Sequence, residues 1–140
     1  MLFFHPDLAK NEFVLEADES AHLVRVLRKK KGDCVEITDG KGVIARVEIK
    51  EANAGKCLVE IVEKTHHAPD PFYIHIAVAP TKNIDRIAWF VEKAVEIGVH
   101  EISFPICKHS ERKVINTEKL VAKAKSAMKQ SLSPFLPKIN

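Results

Sequence analysis

Phe72-Tyr73-Ile74-His75-Ile76-Ala77-Val78-Ala79 is a nearly continuous apolar run, the pattern of a strand buried on both faces. A loop from Pro80 to Asn83 follows. Ile84, Ile87, Ala88, Val91, Ala94, Val95 and Gly98 then step round at helical spacing. Asn83 is a good N-cap, and Gly98 stands where a left-handed residue closes a helix. Glu101 to Ile106 is the next apolar strand. Thr117 is positioned to cap a second helix, with Leu120, Val121, Ala124, Ala127 and Met128 inward and its lysines outward or at the edge. Strand, helix, strand, helix in that order predicts a parallel sheet with right-handed crossovers. Two strands and two helices do not complete a doubly wound sheet, which needs about five strands. Ser133 to Asn140 begins what looks like another. This half therefore reads as an interrupted domain, either part of a longer chain or completed by a partner.

Upstream the grammar is different. Glu12 to Glu16 is a short strand candidate, and Asp18 to Lys29 reads as a helix that Asp18 could cap, with Ala21, Val24 and Leu27 on its apolar side and Leu23 and Val26 beside them. Cys34 to Thr38 alternates, Asp39-Gly40 signals a turn, and Val43 to Ile49 and Leu58 to Val62 follow as further strands. Short strands at this spacing predict a small barrel or sandwich. Pro69 and Pro71, after a polar stretch, mark a linker. The expected domains are 1–70 and 71–140.

A chain of 140 residues, 46% hydrophobic and 29% charged, has the composition of an ordinary globular protein. It can bury roughly two thirds of its unfolded surface. No apolar run reaches the ~18 residues of a membrane span, and Met1 to His5 does not open a signal peptide. Cys34, Cys57 and Cys107 are odd in number and far apart, which predicts reduced thiols in a cytoplasmic protein. His66-His67 has no metal-ligand spacing, and no metal is expected. Phosphate-loop and GxGxxG motifs are absent.

The net charge of +3 hides an asymmetry. Residues 1–71 carry 11 basic and 13 acidic side chains, residues 72–140 carry 11 and 6. The stretch from Lys108 to Lys129, including Lys123 and Lys129, fits either a polyanion such as nucleic acid or a solvated helix face. In His22-Leu23-Val24-Arg25-Val26-Leu27-Arg28, followed by Lys29, helical spacing puts His22, Arg25 and Lys29 on one face with Arg28 beside Arg25. Arginine forks match phosphate oxygens and base edges, while cations at a helix end also complement its dipole. Lys82 and Arg112 each follow a predicted parallel strand. They should emerge at the same carboxyl edge, where open parallel sheets bind ligands. Glu92, Lys93 and Glu96 read as surface ion pairs on a helix.

These pieces taken together resemble the RsmE-type methyltransferases, which act on uridine N3 of small-subunit ribosomal RNA. The matching residues are Phe4-His5, His22 with Arg25 to Arg28, Lys31-Gly32-Asp33 and Asp39-Gly40. Downstream they are Pro80 with Lys82, Glu92-Lys93 with Glu96 and Gly98-Val99, Ser110-Glu111-Arg112, Ala127 with Gln130-Ser131, and Pro137 with Ile139. The resemblance implies an N-terminal all-β PUA-like barrel with one helix, followed by the start of an α/β SPOUT domain whose trefoil knot lies outside this chain. It implies S-adenosylmethionine as cofactor of the full-length protein. Its binding residues are expected beyond Asn140, so the 140 residues alone should neither bind it tightly nor methylate RNA. It also implies a homodimer acting on small-subunit ribosomal RNA or the assembled subunit. Where the family commonly has Glu before the Gln-Ser pair and Arg two residues after it, this chain has Lys129 and Ser133.

The expectation is thus S-adenosylmethionine-dependent methylation of uridine N3, with Arg112 and Lys82 as candidate catalytic residues. His22, Arg25, Arg28, Lys29, Lys123 and Lys129 are the candidate RNA-binding residues. The alternative is a PUA-like RNA-binding module without catalysis of its own.

Overall fold

A computed structural model of the chain describes residues 1–140. Its longest strands grow from the alternating segments. β3 (Cys34–Thr38), β4 (Val43–Glu51) and β5 (Leu58–His66) form an antiparallel meander. β1 (Phe3–Phe4) lies parallel beside β3, and β2 (Glu12–Val14) antiparallel beside β5. The order β1-β3-β4-β5-β2 leaves β1 and β2 as open edges of a curled half-barrel. Register shifts at Arg46/Val47 and Ile49/Glu51 add the local twist that curls it. Alternation along β4 turns Ala45, Val47 and Ile49 into a core with Phe3, Phe13, Leu15, Leu23, Ile37 and Val59. At the β3–β4 turn Asp39 Oδ1 accepts from the N–H groups of Lys41 (2.7 Å) and Val43 (3.1 Å), and Gly40 and Gly42 take positive φ.

The helix expected from Asp18 to Lys29 is shorter and of another kind. α1 spans Ala17–Ala21, and a π-helical turn occupies His22–Val26. The Leu27 N–H reaches back five residues to the His22 carbonyl at 3.0 Å. Asp18 is not the cap: Glu16 precedes the helix and makes no side-chain capping bond, while Asp18 and Glu19 sit in the first turn. The packing explains the change. Leu23 is driven fully into the core, and buried Ser20 donates to the Leu15 carbonyl and accepts from the Cys57 N–H. The wider turn takes up the residue that a regular helix could not place. Leu27, expected inward, is exposed.

In residues 69–140, β6 (His75–Ala77), β7 (Glu101–Ser103) and β8 (Lys138–Ile139) make a parallel sheet in that order. Crossovers in one direction put both helices on one face, and α2 (Ile84–Ile97) packs against α3 (Thr117–Ser131). Asn83 Oδ1 accepts from the Asp85 N–H at 2.9 Å, and Gly98, at φ 96°, donates to the Ala94 and Val95 carbonyls. The second helix is capped by Asn116, not Thr117: Asn116 Oδ1 accepts from the Lys119 N–H at 3.1 Å. Val91, Ile102, Leu120, Ala124 and Met128 form the core between helices and sheet.

The run from Phe72 to Ala79 is not a strand buried on both faces. The strand itself is only His75–Ala77, with Ile74 and Val78 bonded to the neighbouring segment at its two ends, and Phe72, Tyr73, Ile74, His75 and Ala77 are exposed. Helices cover the Ile76, Ile102 and Ile139 side of the sheet, and the other side carries polar groups.

Candidate nucleic-acid interface

The candidate RNA-binding cations of the half-barrel lie on the π-helical turn and just after it. Arg25 and Arg28 are exposed, Lys29 is half-buried, and none of the three makes an ion pair. Arg28 takes φ 54°, a left-handed conformation that ends the turn, and the Lys29 N–H closes onto the Leu23 carbonyl at 3.1 Å. His22 is set back from these exposed cations. Its half-buried ring stands edge-on to Phe3, with centroids 5.9 Å apart. Because the helix stops at Val26, the single helical face expected for His22, Arg25 and Lys29 does not form.

Lys82 and Arg112 do come together. Arg112 Nε donates to the Thr81 carbonyl at 3.1 Å, and its Nη2 to the Lys82 carbonyl at 2.6 Å. The guanidinium thereby ties the loop after β7 to the loop after β6 at the carboxyl edge of the sheet. The Lys82 ammonium stays exposed and makes no ion pair. A small cavity of about 170 Å³ lies beside them, lined by Val78, Pro80, Thr81, Phe90 and Phe104 among others.

Lys123 is held elsewhere. It pairs with Glu92 across the two helices, and Glu92 also meets Lys93 at 3.2 Å. These contacts, Lys123 first, hold the Glu92 carboxyl below its usual value. The predicted surface pairing of Lys93 with Glu96 is present at 3.0 Å. Lys129 is half-buried in the last turn of α3.

The sequence reading missed the polar face of the parallel sheet. Glu101 is its centre, accepting from the Tyr73 hydroxyl at 2.8 Å and Asn140 Nδ2 at 2.7 Å, with Lys138 Nζ at 3.5 Å. The Tyr73 bond, then the Asn140 bond, holds its carboxyl low. His75 Nε2 meets Ser103 Oγ at 2.8 Å on the same face. His75-Ile76-Ala77, Glu101-Ile102-Ser103 and Lys138-Ile139-Asn140 each flank an isoleucine on both sides, and that period of two was the available signal. At the amino ends of the strands Tyr73 stacks on His100, whose Nε2 lies 3.2 Å from Asp70, beside a cavity of about 360 Å³.

No group of three or more His, Cys, Asp or Glu side chains could hold a metal ion. No helix is long and apolar enough to cross a membrane. The three cysteines are free, and burial pushes the Cys57 thiol up.

Comparison with known proteins bears on both halves. An RNA methyltransferase domain family matches residues 68–140, and an RNA methyltransferase PUA domain family matches residues 15–62. The ribosomal RNA small subunit methyltransferase E of Bacillus subtilis is 25% identical over 134 residues, which cover 91% of this chain and 52% of that protein. The structure of a probable rRNA-methyltransferase from Porphyromonas gingivalis superimposes with a TM-score of 0.90 at 41% identity, over 99% of this chain and 58% of that one. A ribosomal RNA small subunit methyltransferase E from Neisseria gonorrhoeae, bound to S-adenosyl methionine, shares the fold. Its TM-score is 0.83 at 20% identity, over 99% of this chain and 59% of its own. The chain spans about half the length of the curated relative it matches.

Proposed function

The chain belongs to the RNA methyltransferase family, and from that premise we propose that the whole protein methylates N3 of a uridine in small-subunit ribosomal RNA. The match of residues 68–140 to the methyltransferase domain carries this reading, with the PUA match upstream as its RNA-holding companion. S-adenosylmethionine, the ligand of the Neisseria relative, supplies an electrophilic methyl group on sulfur. The carboxyl edge of the sheet does not by itself build a pocket for it. The cavity at the carboxyl edge, about 170 Å³ with a largely aliphatic and aromatic lining, falls short of the roughly 300 Å³ at which ligand pockets begin. In this reading the protein acts in the cytoplasm, as a homodimer, on the RNA or the assembled subunit.

The chain's own contribution is binding and charge. Uridine N3 lies on the pairing edge of the base, so the target must leave its stack before it reacts. Arg25, Arg28 and Lys29 hold the RNA backbone, and the surplus of cations in residues 72–140 adds to the field around it. At the carboxyl edge Arg112 positions the Thr81–Lys82 loop through its two carbonyl bonds. The free Lys82 ammonium then stabilises the negative charge that develops on the uracil as the N3 proton passes to water.

The test is a transfer assay on the intact protein with methyl-labelled S-adenosylmethionine and transcribed small-subunit ribosomal RNA. Label recovered as N3-methyluridine after digestion is the expected result. Label on another nucleoside, or RNA binding without any transfer, overturns it. Lys82→Ala should lower turnover at unchanged RNA affinity, and wild-type turnover would remove Lys82 from the reaction.

A further inference from the structure

The π-helical turn holds two features that cation placement does not account for. Val26 is 67% exposed and Leu27 43%, although Leu23 in the same turn is fully buried. Two neighbouring aliphatic side chains thus stand in solvent at the end of a rigid turn. The Leu27 N–H is tied to the His22 carbonyl and the Lys29 N–H to the Leu23 carbonyl, while Leu23 and Ser20 anchor the turn in the core. Arg28 sits at φ 54°, a strained conformation for a residue with a side chain, kept only where surrounding structure imposes it. π-helical turns and strained residues concentrate where a protein does something specific.

We propose that Val26 and Leu27 are an aliphatic wedge that enters the base stack of bound RNA. The proposal rests on the RNA methyltransferase reading and names how its upstream half engages that RNA. The surroundings select the occupant. Arg25, Arg28, Lys30 and Lys31 are exposed on either side of the two aliphatics and make no ion pair. An apolar protein surface would have to strip water from four uncompensated charges to cover Val26 and Leu27, whereas a phosphate backbone meets those charges directly. Aliphatic side chains inserted at a base step unstack it and fill the space that the displaced base leaves. A wedge has to be stiff to do this, because a flexible loop would lose the gain in ordering itself. The two backbone bonds of the turn and its buried anchors, Leu23 and Ser20, supply the stiffness.

The experiment uses the intact protein and a short RNA hairpin with a U·U mismatch and 2-aminopurine stacked beside it. Wild-type protein at saturation should raise 2-aminopurine fluorescence several-fold as the base unstacks. Val26→Ser with Leu27→Ser should bind within about threefold of wild type, since the phosphate contacts remain, yet leave the fluorescence at the free-RNA level. Arg25→Ala with Arg28→Ala should weaken binding about tenfold or more and still unstack the base once saturated. A Val26/Leu27 variant that binds and keeps the full fluorescence rise overturns the wedge and leaves the RNA reading standing. Failure of wild-type protein to bind the hairpin at low salt overturns both. If Val26→Ser with Leu27→Ser lowers the melting temperature or converts a dimer to a monomer in sedimentation, these side chains cover protein and the wedge is wrong. Leu27→Gln, which keeps the length of the side chain but not its apolar character, repeats the test should the double variant fold poorly.

Discussion

The cations of the two halves have different employment. In the half-barrel, Arg25 and Arg28 stand exposed without a partner on a turn whose buried residues are apolar. In the α/β half, Arg112 spends two of its donors on the Thr81 and Lys82 carbonyls, and Lys123 is paired with Glu92. The charge surplus lies in the second half, yet these two of its cations hold loops and helices together. Net charge therefore locates a field, and only the partners of each side chain separate the groups that hold the protein from those left for a ligand.

The largest effect should come from breaking the platform under Arg25 and Arg28. Leu23→Ala removes a fully buried side chain from the half-barrel core, and urea unfolding followed by circular dichroism should show a loss of about 3 kcal/mol. Next comes the direct contrast between the two sets of cations. Arg25→Ala with Arg28→Ala should reduce the slope of log affinity against log salt by about 1.5 to 2, near one unit for each phosphate no longer neutralised. Arg112→Ala with Lys123→Ala should shift that slope by less than about 0.5, and should instead speed amide exchange in the loop around Lys82. Equal slopes for the two pairs would dissolve the comparison.

Smaller effects sharpen the account of the second half. Gly98 closes α2 at φ 96°, and a Cβ there would meet open space. Gly98→Ala should therefore cost only the backbone conformation, about 1 kcal/mol by thermal unfolding. The smallest change should follow Glu92→Gln, and it carries a pH signature. The folded Glu92 carboxyl lies below its usual 4.5, so the stability it contributes is present above that value and lost as pH falls through the lowered one. The difference in melting temperature between wild type and Glu92→Gln should be small at pH 7, shrink as pH falls below 4.5, and close once pH is below the lowered value. A gap that persists in acid would show that Glu92 acts by packing.

Much of the fold was legible because local signals and packing agreed. The Asn83 cap and the Gly98 stop of α2, the alternation of Cys34 to Thr38, and the parallel order of strand and helix all stand in the structure. The misreadings share a cause. The apolar residues of 18–29 fit a regular helix by periodicity, but burying Leu23 beneath the sheet required a π-helical turn, which moved Leu27 outward. Apolar content in Phe72 to Ala79 suggested burial on both faces, while the alternation around Ile76 marked a sheet with one polar side. At the candidate interface, Lys82 and Arg112 were legible as neighbours at one strand edge. The carbonyl bonds that occupy Arg112 were not, because their acceptors lie 30 and 31 residues away.

The sequence by itself determined which segments alternate with period two and which with the helical period, where two helices begin or end, and how charge is distributed along the chain. Those properties depend on neighbours within a few residues, whose spacing is written in order. The tertiary structure alone decided the π-helical turn, the left-handed Arg28, the exposure of Val26 and Leu27, and the division of cations into engaged and free. Each depends on contacts between residues distant in the chain, such as Ser20 with Cys57 and Glu92 with Lys123, and a local pattern carries no information about which of them will meet.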